Sequence, residues 1–271
     1  MRLTVRHKTR YRYDTPLANS MQQLRLIPPE SNGQRVLDWS LDAPGMDRAT
    51  IYTDAFGNVV HMVSMQDVVE DVEVIASGTV ETENTLGVIA NERGAAPPRI
   101  YTRFTQVTQP NQAIRKLGSL INPDDKIAGC HELMHAVRNK VTYKSGVTET
   151  HATASSALAN GEGVCQDHAH VFIAAARSAG IPARYISGYL LIQDEDNSDA
   201  HHAWAEVYIE DLGWLAFDIS NGICPTEHYI RLTTGLDSRS AAPIRGIRFG
   251  GTAENMNVEV EVLQAAGQQQ Q

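Results

Sequence analysis

GEGVCQDHAHVFIAAARSAGIPARYISG, residues 161–188, is the stretch that decides the fold: a glycine-flanked turn delivers a cysteine to the start of an alanine-rich helix. Gly180 is placed to end this helix, and Pro182 prevents it from resuming before a run of strand residues. A helix N-terminus carries partial positive charge and unsatisfied N–H groups, and both stabilise a thiolate. The sequence therefore predicts that Cys165 is a nucleophile.

The helix that follows Cys165 has an apolar stripe with a period of 3.6 residues, formed by Cys165, Ala169, Phe172, Ile173, Ala176 and Ala179. We expect this face to pack on a sheet, with Cys165 at its buried start. A free cysteine is more often a small buried hydrophobe than a nucleophile. The prediction therefore depends on finding a base and a group that orients that base.

Two alternating segments, HHAWAEVYI at 201–209 and WLAFDIS at 214–220, flank the turn EDLG and predict a β-hairpin. Alanine and β-branched residues occupy one face of the first strand, and Leu215, Phe217 and Ile219 occupy one face of the second. If these apolar faces lie on the same side of the sheet, His202 and Asp218 share the other side, about one diagonal apart. His201 points the opposite way. We therefore expect His202 to be the base and Asp218 to orient it.

A cysteine, an imidazole and a carboxylate in this order predict acyl transfer through a thioester. The imidazole takes the thiol proton, and the carboxylate fixes its tautomer and stabilises the cation. Backbone N–H groups at the start of the Cys165 helix are available for an oxyanion. This chemistry requires no cofactor.

Three blocks of the sequence resemble the transglutaminase-like superfamily: GEGVCQDHAHVFIAAARSAGIPARYISGYL, HAWAEVYIEDLGWLAFDISNG and PIRGIRFGG. They occur in the family's order and cover much of residues 140–250. The resemblance implies that Cys165, His202 and Asp218 form a catalytic triad in a papain-like arrangement. It also implies a β-rich N-terminal domain of the kind found in bacterial members. One departure is Ile-Ser-Asn-Gly after Asp218, where the family often has Pro-Thr.

Residues 1–105 contain short alternating segments with turns about every ten residues, which predicts an antiparallel sandwich-like domain. The first segment, RLTVRHKTRYRY, has one apolar and aromatic face and one basic face. Asp54, Asn58 and His61 are scattered, and we interpret them as structural or surface residues. A connector is expected at 91–98, and a polar loop at 194–199. Helices are expected at 110–121 and 124–141, which gives an α+β chain with domains 1–105 and 106–271.

His131, Glu132 and His135 match the H-E-x-x-H motif of zinc peptidases. Both histidines, however, lie on the flank of the apolar face of their predicted helix, and no third ligand follows at the expected spacing. Glu149 and Glu162 are the remaining candidates, and neither lies in a convincing second helix. We therefore expect a solvated helix flank here, with no metal. His168 and Asp167 are expected to support the helix start by hydrogen bonding.

The composition limits the function classes. A net charge of −9 argues against a nucleic-acid or anionic-membrane partner. No apolar run is long enough to span a bilayer, and MRLTVRHKTRYRYD lacks the apolar region of a signal peptide. The sparse, odd set Cys130, Cys165 and Cys224 is not a disulfide framework, which favours a cytoplasmic location. We interpret Cys130 and Cys224 as structural.

The sequence thus predicts a cysteine-dependent enzyme that acts on a peptide or protein amide, with hydrolysis favoured over cross-linking. Trp204, which shares the face of His202, is expected to line the substrate cleft, and Gly163 and Gly188 to allow close backbone approach around it. Two further alternatives remain open. The chain is a protein-glutamine cross-linking enzyme, or it is a catalytically silent binding protein of the same fold.

Overall fold

The computed structural model describes residues 1–15, 17–68, 71–90, 96–145, 152–192, 201–250 and 254–265. Most of the predicted connector at 91–98 lies outside these residues, as do Glu149 and the polar loop at 194–199. No helix in the described ranges is long and apolar enough to cross a bilayer. The predicted mixture of helices and antiparallel strands is confirmed.

Strands dominate the first part of the chain: β1 Arg2–Tyr13, β2 Leu17–Leu24, β3 Gln34–Asp42, β4 Thr50–Thr53, β5 Val59–Val68, β6 Asp71–Thr82 and β7 Val88–Ala90. Helices and strands then alternate: α1 Gln112–Gly118, α2 Lys126–Lys140, β8 Thr142–Tyr143, α3 Ala154–Asn160, β9 Glu162–Gly163 and α4 Cys165–Ser178. Strands follow to the C-terminus: β10 Ala183–Leu190, β11 His201–Ile209, β12 Gly213–Phe217, β13 Tyr229–Gly235, β14 Ile244–Gly250 and β15 Glu254–Gln264.

Two antiparallel sheets form the N-terminal part, in the orders β15-β1-β6-β3 and β14-β2-β5-β4. The alternation predicted for β1 is confirmed, because every second residue from Leu3 to Tyr13 is buried. The buried side chains of both sheets meet in one core that includes Val5, Val74 and Val63. The predicted sandwich therefore has the physical basis expected for two half-buried sheets.

Sheet pairing crosses the boundary predicted at residue 105. β15 pairs with β1 along eleven residue pairs, from Leu3 opposite Gln264 to Tyr13 opposite Glu254. β14 pairs with β2, and in the other direction β7 pairs with β12. β14 and β15 therefore join the N-terminal sheets and not the sheet of the C-terminal part. Strand periodicity reports which face is buried, but it does not report which sheet edge the strand will join.

Helix α4 lies at the centre of the C-terminal part. It packs on β10 and β11 of a five-stranded sheet ordered β13-β10-β11-β12-β7, and α1, α2 and α3 contact its other sides. The expectation of a single buried face is wrong: all residues from Asp167 to Arg177 are buried. Buried polar side chains lie among these residues, and some of them have hydrogen-bond partners inside the protein. Arg177, for example, donates to the carbonyl oxygens of Tyr101, Ala183 and Leu236.

Candidate active site

Cys165 is the first residue of α4, where the sequence placed it. The Asp167 carboxylate accepts the N–H of Val164 at 2.9 Å and so closes the first turn. A side chain on Gly163 would lie 2.7 Å from the Cβ of Asp167, so only glycine fits beside this contact. The Asp167 cap and the close approach of Gly163 therefore both hold the start of the helix in place.

The hairpin of β11 and β12 brings His202 and Asp218 together. Ala205 lies opposite Phe217, so His202 and Asp218 are diagonal neighbours on the same face. His202 Nε2 lies 2.7 Å from Asp218 Oδ2. His201 instead hydrogen-bonds Ser187 at 2.8 Å on the other face. The prediction from strand parity that His202, and not His201, shares a face with Asp218 is therefore confirmed.

Asp218 is fully buried and accepts more than one hydrogen bond. Besides His202, Oδ2 accepts from Tyr229 OH at 2.7 Å and from Asn221 Nδ2 at 2.6 Å, while Oδ1 accepts the N–H of Asn221 at 3.2 Å. Burial by itself raises the pKa of Asp218, but the hydrogen bond and charge of His202 and the bonds from Tyr229 and Asn221 hold it below its ordinary value. The carboxylate therefore stays ionised inside the protein.

His202 is held between a sulfur and a carboxylate. Burial lowers its pKa, but hydrogen bonds to Asp218 and Cys165, together with their negative charges, raise it to about 10. Since Nε2 is engaged by Asp218, the hydrogen bond with Cys165 falls to Nδ1. The three predicted residues thus meet in one line of contacts, sulfur to imidazole to carboxylate.

The other two cysteines have different surroundings. Cys130 is fully buried in the helical core, and burial raises its pKa to about 12. Burial also raises the pKa of the Cys224 thiol. Neither is accompanied by an ion pair comparable to His202 and Asp218 among the described residues. The interpretation of both as structural fits these environments.

His168 supports the site from beneath, as the sequence predicted. Its Nε2 contacts the carbonyl oxygen of Val141 at 2.7 Å and must donate there, because a carbonyl only accepts. Nδ1 therefore accepts the hydroxyl of Ser220 at 2.9 Å, and burial lowers the pKa of this imidazole. Ser220 lies two residues after Asp218. The bond consequently ties α4 to the segment that carries the carboxylate.

Trp204, which the sequence predicts to line the substrate cleft, packs beside the imidazole of His202. Trp204 is only 2% exposed, yet it is among the residues that line a pocket together with Gln34 and Tyr229. The ring lies near-parallel to His202, with centroids 6.3 Å apart, and edge-on to Tyr229. A Cβ on Gly188 would lie 2.5 Å from the Trp204 ring, so this glycine makes room for the indole.

The H-E-x-x-H motif lies on the flank of α2. His131 packs edge-on against Phe217, with centroids 5.0 Å apart, while Glu132 and His135 are exposed. Glu162 forms an ion pair with Lys144 on the surface. Across the described ranges, no three His, Cys, Asp or Glu side chains are grouped closely enough to hold a metal ion. Within the part of the chain that the structure describes, His131 and His135 therefore have no third ligand beside them.

The sequence did not predict that Asn221 and Tyr229 would contact Asp218. Asn221 follows Asp218 by three positions, a spacing at which a side-chain amide commonly bonds back to the chain. It belongs to the Ile-Ser-Asn-Gly segment that departs from the family pattern, and so does Ser220. Tyr229 carries no local signal, because its contact with Asp218 exists only after β13 returns to the sheet.

Two family comparisons match different parts of the chain. Residues 116–219 match the transglutaminase-like superfamily, and residues 3–81 match the bacterial transglutaminase-like N-terminal region. The first range contains Cys165, His202 and Asp218. The chain belongs to the transglutaminase-like superfamily.

Relatives extend this likeness over the whole chain. The uncharacterized protein ML0607 of Mycobacterium leprae is 30% identical over 98% of this chain and 99% of its own length. The uncharacterized protein Rv2569c of Mycobacterium tuberculosis is 29% identical over 96% of this chain and 91% of its own. A crystal structure of a candidate cysteine protease from Cytophaga hutchinsonii superposes with a TM-score of 0.74, at 22% identity, over 98% of this chain and 92% of that one. At this identity the superposition shows a shared fold.

Proposed function

We propose that the protein is a cysteine-nucleophile hydrolase that cleaves an amide bond in a peptide or protein. The observation that carries the proposal is His202 hydrogen-bonded to Asp218 on one side and to Cys165 on the other. A nucleophile, a base and an orienting carboxylate in contact are the parts that acyl transfer requires.

In the proposed reaction, the Cys165 sulfur attacks the amide carbonyl carbon and His202 holds the thiol proton as an imidazolium. The raised pKa of His202, about 10, favours this charged form at neutral pH. Collapse of the tetrahedral intermediate breaks the C–N bond, and His202 gives its proton to the leaving amine. Water then attacks the thioester with His202 as base, and the C–S bond breaks.

The start of α4 supplies candidates for the oxyanion site. The N–H groups of Cys165 and Gln166 belong to the first turn, where a helix offers no internal acceptor. They lie at the positive end of the helix dipole, next to the attacking sulfur. Asp218 stays ionised throughout and stabilises the imidazolium.

The test measures hydrolysis and amine incorporation together. The full-length protein is incubated with a peptide-amide library and a free primary amine, and products are identified by mass spectrometry. We expect carboxylic-acid products whose rate falls by about 10³-fold or more in Cys165→Ala and His202→Ala. Cys224→Ala, which changes a thiol without an imidazole partner in the described structure, should retain activity.

The competing outcomes are distinct. If Cys165-dependent products carry the added amine in place of a new carboxylic acid, the protein is a cross-linking enzyme and the proposal of hydrolysis is wrong. Absence of any Cys165-dependent product, together with iodoacetamide labelling of Cys165 no faster than that of a model thiol, would leave a silent binding protein and overturn the proposal.

A further inference from the structure

Tyr229 contacts the Asp218 carboxylate at Oδ2, the same oxygen that contacts His202. Its hydroxyl donates to Asp218 Oδ2 at 2.7 Å, and His202 Nε2 lies 2.7 Å from the same oxygen. The side chain of Tyr229 is 7% exposed, and its ring also packs against Trp204, which itself lies beside His202. One tyrosine thus touches both the acceptor of the imidazole proton and the ring that flanks the imidazole.

The strand that carries Tyr229 is the outer strand of its sheet. β13 pairs with β10 on one side only. The backbone groups on the other side of an outer strand need partners when they are buried. Residues of the N-terminal part supply partners here.

Two side-chain amides take the place of a neighbouring strand. Gln34 donates from Nε2 to the carbonyl of Arg231 at 2.9 Å and accepts the N–H of Arg231 at 2.7 Å. Asn58 likewise donates from Nδ2 to the carbonyl of Thr234 at 2.8 Å and accepts the N–H of Thr234 at 2.9 Å. Each amide reproduces the donor-acceptor pair of a strand neighbour, and both are buried. Asn58, interpreted from sequence as a structural or surface residue, therefore has a specific partner in the C-terminal part.

We propose that Tyr229 is a positioning residue for Asp218, and that the N-terminal part, through Gln34, holds β13 where Tyr229 can do this. The inference rests on the proposed function only for its kinetic consequence. Three donors on Oδ2 fix the direction of the carboxylate, and that direction fixes the imidazole. The N-terminal part is then a support of the candidate active site.

The first test compares Tyr229→Phe with Tyr189→Phe in the full-length protein. Tyr189 is a matched control, because its hydroxyl is also buried and bonded, to His7 Nδ1 at 2.8 Å. The spectroscopic readout is the downfield imidazole N–H resonance of His202, which needs no substrate. We expect this resonance to shift in Tyr229→Phe and to stay in place in Tyr189→Phe. With an amide substrate, kcat should fall on the order of 10-fold at nearly constant KM.

The second test applies the same resonance to Gln34→Leu. Gln22→Leu is the control, since Gln22 is an equally buried glutamine on β2. We expect Gln34→Leu to move the His202 resonance in the direction seen for Tyr229→Phe, and Gln22→Leu to leave it unchanged. An unmoved resonance in folded Tyr229→Phe overturns the proposal. Because this readout is independent of turnover, it decides even if no amide is hydrolysed.

Discussion

At the scale of single residues, the surroundings of the three cysteines separate one from the others. Cys165 begins a helix and hydrogen-bonds an imidazole, whereas burial alone raises the pKa of Cys130 and Cys224. His202 in turn owes its raised pKa to two partners at once, which outweigh the cost of burying its charge. His202 is therefore the residue with the unusual pKa, and substitution of Cys165 or of Asp218 separates the effects of its two partners.

Cys165→Ala should lower the pKa of His202 below its present value of about 10. The change removes one hydrogen bond and one negative charge that favour the imidazolium, while Asp218 and the burial remain. An NMR titration of ¹⁵N-labelled imidazole in the full-length protein measures the shift. Cys224→Ala is the control and should leave the His202 titration unchanged. An unaltered pKa in Cys165→Ala would show that the sulfur does not influence the imidazole.

At the scale of the elements, close packing around β10, β11 and β13 sets the imidazole. Trp204 is fixed between His202 and Tyr229, and Gly188 on β10 lies against its ring. Interiors packed this tightly pass a displacement of one group to its neighbours. Position 188 therefore requires a glycine because of its contacts with the neighbouring strand and the indole, and the register of β10 also shifts between Ser187 and Gly188.

Gly188→Ala should destabilise the protein by about 1–3 kcal/mol and slow the iodoacetamide labelling of Cys165. The new Cβ would lie 2.2 Å from the carbonyl oxygen of Ile230 and 2.5 Å from the Trp204 ring, so the indole must move. Urea unfolding and labelling rates measure the two effects. Gly57→Ala is the control: a Cβ there meets nothing within 4 Å, although φ is +90°. It should lose some stability but keep the labelling rate, and equal labelling in both variants would refute the argument.

At the scale of the whole molecule, strands from the two ends of the chain pair with each other. Its last two strands complete the sheets begun by its first two, and β7 joins the sheet that holds the candidate site. Val260 and Val262 of β15 belong to the N-terminal core. The N-terminal sheets therefore cannot be completed until the C-terminal residues have been made.

A chain that ends at residue 243 should unfold at lower urea concentration than the full chain and should self-associate. Its loss of β14 and β15 removes partners from β1 and β2 and leaves two long unpaired edges. Size-exclusion chromatography and a urea titration followed by circular dichroism measure both effects. A chain that ends at residue 265 keeps both strands and serves as the control. If the two shortened chains have the same midpoint, β14 and β15 contribute little to stability.

The sequence by itself determined the local features of this protein. Periodicity defined β1, the helix behind Cys165 and the hairpin, because side-chain direction repeats every 3.6 or 2 residues whatever the rest of the chain does. Strand parity chose His202 over His201 for the same reason. The contact of His202 with Asp218 followed from a turn of known length, so the core of the candidate site was predictable.

Only the tertiary structure decided the contacts between segments distant in sequence. Tyr229 reaches Asp218 through β13, Gln34 reaches β13 from β3, and β15 finds β1 across almost the entire chain. A pattern reports which face of a strand is buried, but the partner that covers that face or edge is set by packing of the whole molecule. The burial of α4 on all sides and the enclosure of Trp204 have the same origin. The identity of the neighbours is a property of the fold, because no short-range periodicity encodes it.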